Sequence, residues 1–274
     1  MTLPPTPHPA SRRRGTDHLW MALASVTCAA VLLAPVAIHP GWPSNHNGLL
    51  DFTRIPAFLG QWRLGHPLVS WSTAEQWGFG SPAPALYNKS FYYVAAAGLA
   101  LTGSLKAAMC AALAVFMIVA FLGADRAVRE VTGQRDLLAG ITAGALVVSC
   151  NYATTDWLVR SAVSEFAALS LTPWLFAWCL RLIVRGRWSV WIGPILALVT
   201  LGHVIIGLFS LIPLLLAVGL AACLWARALR LCRPRADSAI ATPPFRPDTD
   251  LLARLRLDRC RCAARTQRGG AVFQ

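Results

Sequence analysis

Three groups of residues carry chemically capable side chains at spacings that let them act together. Asn45, His46 and Asn47 precede Asp51 and Arg54, which are three residues apart and would form an i, i+3 ion pair on a solvated helix face. Asp156 and Arg160 are four apart, on one face if that segment is helical, and can join in a charge-assisted bond. Glu165 follows Ser164, which reads as an N-cap, so Glu165 would be a first-turn acid favoured by the helix dipole. The planar fork of Arg160 suits a lipid phosphate as well as a carboxylate, and the two readings stand level. Tyr87 beside Asn88 and Lys89 forms a further polar group, and His203 breaks an apolar stretch after Gly202, as a site residue or as a hydrogen-bond donor between helices.

The elements that must position these residues are membrane helices. Of the 274 residues 56% are hydrophobic and 14% charged, which excludes a water-soluble enzyme of this size. Apolar runs long enough for a bilayer core of about 30 Å predict six spans: Leu19 to Ile38, Ala107 to Gly123, Leu137 to Asn151, Phe166 to Ile183, Ser189 to Ile205 and Ile206 to Trp225. The fold class is therefore all-α, a polytopic helix bundle. Phe91 to Gly103 is short for a span, and the arginines decide its status. If it does not cross, thirteen of the basic residues up to Arg235 lie on the cytoplasmic side and five outside; if it crosses, the counts reverse against the positive-inside rule. Residues 1–18 are then a cytoplasmic N-terminus leading into an uncleaved anchor, and residues 39–106 one extracytoplasmic segment carrying interfacial helices. All three candidate groups fall outside, where they can share one aqueous cavity.

The formal charge of +13 is thus mainly a topology signal, and no nucleic-acid partner is expected. Residues 233–274 differ in composition: apolar runs vanish and arginines accumulate, which predicts a disordered basic tail behind a membrane domain at 19–232. Six of the eight cysteines lie in or beside spans as small apolar residues, and Cys260-Arg-Cys262 lacks the paired spacing of a zinc site.

Within the outer segment, Leu49, Phe52, Ile55, Leu59 and Trp62 predict a helix over Gly48 to Arg63, with Asp51, Arg54 and Gln61 on its polar side and a kink at Pro56. It would lie along the membrane surface. Gly78 to Pro84 reads as a turn-rich strap leading to Tyr92 and Tyr93, tyrosines expected at the headgroup boundary.

The order of these motifs resembles bacterial multi-pass proteins of the GT-C glycosyltransferase type, in particular the membrane "6-pyruvoyl-tetrahydropterin synthase related" domain family. The similarity runs over roughly residues 19–230, through Asn45-His46-Asn47 with Arg54-Ile55, Gly78-Phe79-Gly80-Ser81-Pro82 with Tyr92-Tyr93, Asp156 with Arg160 and Glu165, and His203. It implies a bacterial cytoplasmic-membrane protein that transfers sugar from a polyprenyl-phosphate donor on the extracytoplasmic side. The acid of its first outer loop would be a general base or a ligand to a divalent cation. That acid is replaced here by Asn47, which can do neither. Either Asp51 has taken over, with His46 and Asn47 beside it, or the chain is a non-catalytic relative that binds a lipid-linked phosphate or serves in assembly. Arg54, Tyr87, Lys89, Asp156, Arg160, Glu165 and His203 are the substrate-binding candidates. The family usually has ten or more spans, so a shortened copy is expected.

Topology reporters fused after Gly103 and after Gly123 are expected to report opposite sides of the membrane. A cytoplasmic signal after Gly103 would overturn the assignment.

Overall fold

The computed structural model describes residues 9–43, 47–73, 75–86, 89–133 and 136–231. In chain order its helices are α1 (Pro9–Ile38), α2 (Gly48–Arg63), α3 (Ala83–Leu86), α4 (Lys89–Thr102), α5 (Leu105–Thr132), α6 (Leu137–Ser149), α7 (Asn151–Thr154), α8 (Val163–Arg185), α9 (Ile192–Gly202) and α10 (Val204–Leu231). A 3-10 turn at Gln76–Gly78 and a π-helical turn at Thr155–Arg160 complete the set. Among the described residues the fold is all-helical, relieved by one isolated antiparallel bridge between Ser72 and Ser81.

Among the described residues four helices are long and apolar enough to cross a membrane, at Thr16–Ile38, Leu105–Thr132, Val163–Arg185 and Val204–Arg227. A fifth crossing results if Leu137–Ser149 and Asn151–Arg160, bent by 43°, act as one. The span expected between α8 and α10 forms only in part. Where a helix was expected over Ser189 to Ile205, only Ile192–Gly202 is helical, about 16 Å long at the α-helical rise. The cause is local: His203 is extended (φ −157°, ψ 112°) and ends α9, and α10 starts at the next residue. Helix α4, at fourteen residues, is likewise too short to span.

The ends follow ordinary capping chemistry. Ser104 accepts from the Ala107 amide to start α5, and Asp136 from the Ala139 amide to start α6. Gly133 and Gly186 take the left-handed conformation that closes α5 and α8.

Helix α5 is the hub, touching α1, α4, α6 and α8. It runs parallel to α8: the Trp174 indole donates to the Val119 carbonyl at 2.8 Å, and eleven residues further along both helices Arg185 Nε lies 3.3 Å from Glu130 Oε2. Helix α6 approaches α5 closely because Gly140 leaves room for the Asp125 carboxylate and Gly144 for the Phe121 ring. The buried acids Asp125 and Glu130 are each paired one turn away, with Arg129 and Arg126. At the other end of α5, Lys106 donates to the His39 carbonyl just past α1. Helices α9 and α10 form a tight hairpin in which Gly207 abuts Thr200, and its tip at Gly202 rests against Ser90 of α4 and Ala168 of α8.

The chain divides into two compact units, Met1–Ala221 and Ala222–Gln274. The first holds the bundle and the segment between α1 and α5; of the second, the described part is the last stretch of α10. The expected tail at 233–274 lies outside the described residues.

A methyl group at Gly140 collides with Asp125, so Gly140→Ala is expected to destabilise the protein by about 1–3 kcal/mol in detergent unfolding. Gly60→Ala, with open space at its Cβ, is the control and should be neutral or stabilising. Equal effects at the two positions would contradict this packing.

Candidate functional site

Helix α2 has the predicted limits, but its buried face differs from the predicted one. Asp51 is 2% exposed, buried together with Ile55, Phe58 and Leu59, whereas Leu49 is 79% exposed. The helix also does not carry an Asp51–Arg54 pair. Arg54 instead reaches the buried Glu75 with its Nε, and a second guanidinium nitrogen lies 3.4 Å from the other carboxylate oxygen.

An acid turned inward needs partners, and two hydroxyls supply them. Tyr92 of α4 donates to Asp51 Oδ1 at 2.6 Å and Ser161 donates to Oδ2 at 2.6 Å. Tyr92 is 1% exposed, so it faces the core and not the headgroup boundary; the Phe58 ring packs on it and Arg54 lies 5.8 Å from its centroid. Tyr93 accepts from the Val69 amide and stacks on Trp62. Ser161 holds a left-handed backbone (φ 53°, ψ 36°), uncommon for a residue with a Cβ, and the Asn47 amide donates to the neighbouring Arg160 carbonyl. Burial pushes the Asp51 carboxyl up to about 6, against the opposing effects of the Ser161 and Tyr92 hydroxyls and the Arg54 charge. Tyr92 is shifted upward, first by burial and then by the Asp51 charge, so it remains a donor.

The second group is built on the π-helical turn. Arg160 NH1 lies 2.7 Å from Asp156 Oδ1, one of the two readings their spacing left level, and its other terminal nitrogen 3.3 Å from Glu165 Oε2. Asp156 is 1% exposed behind the half-exposed Arg160. Ser164 is not the N-cap: α8 starts at Val163, with Ala162 in the capping position. The first-turn acid Glu165 also accepts from the Tyr152 hydroxyl. His203 Nδ1 accepts from the Ile206 amide at 3.4 Å in the first turn of α10, so the neutral ring carries its proton on Nε2.

These side chains line one cavity of about 360 Å³, to which Asn47, Asp51, Arg54, Arg160, Glu165 and His203 all contribute. Arg181 follows Glu165 by sixteen residues on α8, a rise of about 24 Å. The cavity and the arginine-bearing end of the bundle thus stand close to one bilayer core apart. No protein family, curated protein or solved structure matches the chain. Its function must be read from this geometry.

Of the ten residues singled out from sequence, six meet in the cavity. Asp156 supports Arg160 from behind, and Lys89, the first residue of α4, is not part of the lining. His46 and Tyr87 lie outside the described residues. Three participants carried little sequence signal. Glu75 is twenty-one residues from its partner Arg54, Tyr92 looks like any interfacial tyrosine, and Ser161 is one polar residue beside a more conspicuous arginine. A divalent cation does not suit this arrangement. Both Asp51 oxygens already accept hydroxyl protons, Arg54 is adjacent, and among the described residues no group of three His, Cys, Asp or Glu side chains is placed to hold a metal.

An acid whose folded pKa is raised binds more protons folded than unfolded, so its contribution to stability is full below the unfolded value of 3.8 and is lost as pH rises through about 6. Thermal unfolding in detergent from pH 4 to 7 is expected to show wild type losing stability relative to Asp51→Asn across that window. A constant difference would contradict the buried setting of Asp51.

Proposed function

We propose that this chain is a GT-C-type membrane protein that transfers sugar from a polyprenyl-phosphate donor at the extracytoplasmic membrane boundary. The observation that carries this reading is the meeting of two spaces of opposite character. An apolar groove of about 740 Å³ between α5, α6, α8 and α10 follows α8 from Phe166 to Leu180, about 21 Å. It ends at Tyr152, whose hydroxyl bonds Glu165 in the polar cavity. An amphiphile with a long hydrocarbon tail and a phosphate head suits both spaces at once: tail in the groove, phosphate at the half-exposed Arg160.

In that pose Asp51 takes the proton from an acceptor hydroxyl as the hydroxyl oxygen bonds the anomeric carbon. The bond from that carbon to the donor phosphate breaks, and Arg160 holds the departing phosphate. A carboxylate near pKa 6 is ionised at neutral pH yet still basic. Glu165 holds Arg160 in place, and His203 offers its Nε2 proton to a substrate oxygen. Ser161 must turn away to free the Asp51 oxygen it occupies.

That occupancy also favours a second reading, a non-catalytic protein that binds a lipid-linked phosphate: both carboxylate oxygens are engaged, and Asn47 stands where the family acid would be.

The assay is incorporation of labelled sugar from a polyprenyl-phosphate donor by membranes containing the protein. Transfer that falls by about 100-fold or more in Asp51→Asn supports catalysis. Equal rates would remove Asp51 from the mechanism. Donor binding without turnover, weakened in Arg160→Ala, would establish the second reading instead.

A further inference from the structure

The segment from Trp71 to Ser81 is held firmly at its base and bare at its tip. Ser72 and Ser81 exchange both backbone hydrogen bonds at 2.9 Å. The Glu75 carbonyl accepts from the amides of Gly78 and Gly80, and its carboxylate, 5% exposed, is bound by Arg54. The Trp71 indole lies against Gly80, in space that any side chain there would fill.

Between these fixed points the backbone turns the wrong way for ordinary residues. Gln76 (φ 54°) and Trp77 (φ 60°) are consecutive left-handed residues with a Cβ, followed by Gly78 (φ 93°) and Gly80 (φ 86°). The result of this strained turn is that Trp77 is 99% exposed and Phe79 87% exposed. A chain that places two large apolar rings outside its own core through an unfavourable backbone has another phase in which to place them.

The location says which phase. Trp77 is two residues from Glu75, at most about 7 Å along the chain, and Glu75 is bound to a residue that lines the cavity. The cavity stands at the Glu165 end of α8, so where the long helices cross a bilayer the tip is near the headgroups of that side. An indole favours that depth, and a phenyl ring beside it buries at the headgroup and acyl boundary.

We propose that the Trp71–Ser81 hairpin is a membrane-interface anchor, with Trp77 and Phe79 inserted at the headgroup and acyl boundary of the leaflet on the cavity side. Its fixed base makes it a rigid anchor, and Glu75 ties it to Arg54.

The test uses the full chain in phosphatidylcholine vesicles, with brominated acyl chains as the lipid quencher and iodide as the aqueous quencher. Because the chain has eleven tryptophans, the signal is the emission of wild type minus that of Trp77→Phe. The expected result is a Trp77 component quenched by brominated lipid and shielded from iodide. Quenching by iodide alone would put the tip in water and overturn the proposal. Emission insensitive to both quenchers would mean that protein, this chain or a second copy of it, covers the tip, which overturns it equally. Trp77→Phe alters a fully exposed ring, and an unchanged unfolding midpoint verifies that the comparison is between folded proteins.

Discussion

A carboxylate removed from water must be met by donors or by charge, and Asp51 organises the site around that requirement. Its two oxygens draw together α2, the middle of the bundle through Tyr92 of α4, and the left-handed residue that precedes α8. The Asn47 to Arg160 backbone bond closes the same junction. With α2 and the start of α8 joined in this way, Arg54, Arg160 and Glu165 surround one cavity, and the tip of the α9–α10 hairpin brings His203 to it. Loss of the acid or of either hydroxyl leaves a buried polar group without its partner, the usual source of large destabilisation.

Two further arrangements depend on this junction. Because α5 and α8 are parallel and in register, the arginines near their far ends and the cavity at the near end lie about one bilayer core apart, with small residues at helix contacts between them. Because α8 leaves the junction beside α6 and α10, the apolar groove begins where the polar cavity stops, at the Tyr152 to Glu165 bond. A polar cavity and an apolar groove are therefore adjacent.

Much of this was legible in the sequence, for reasons that can be named. The limits of α2 followed from apolar periodicity and flanking turn residues, and the long helices from composition alone. The pairing of Asp156 with Arg160 was one of two level readings of their spacing, and a π-helical turn satisfies it. What periodicity missed was which face of α2 turns inward. A hydrophobicity pattern assigns an acid to water, and only the distant hydroxyls of Tyr92 and Ser161 make burial of Asp51 tolerable. The Arg54 to Glu75 pair was hidden in the same way, since partners twenty-one residues apart leave no local mark and the i, i+3 alternative was nearer to hand. The shortness of α9 was hidden because an apolar stretch looks the same whether it spans the bilayer or stops at a histidine.

The buried, doubly bonded state of Asp51 is the centre of the account, and its protonation can be observed directly. Infrared titration should reveal a carboxyl carbonyl band that is absent in Asp51→Asn and appears with a midpoint near pH 6. In Tyr92→Phe that midpoint should rise, because a hydrogen bond to the charged form has been removed. A midpoint near 4, unchanged in Tyr92→Phe, would mean an exposed carboxylate and would contradict the account.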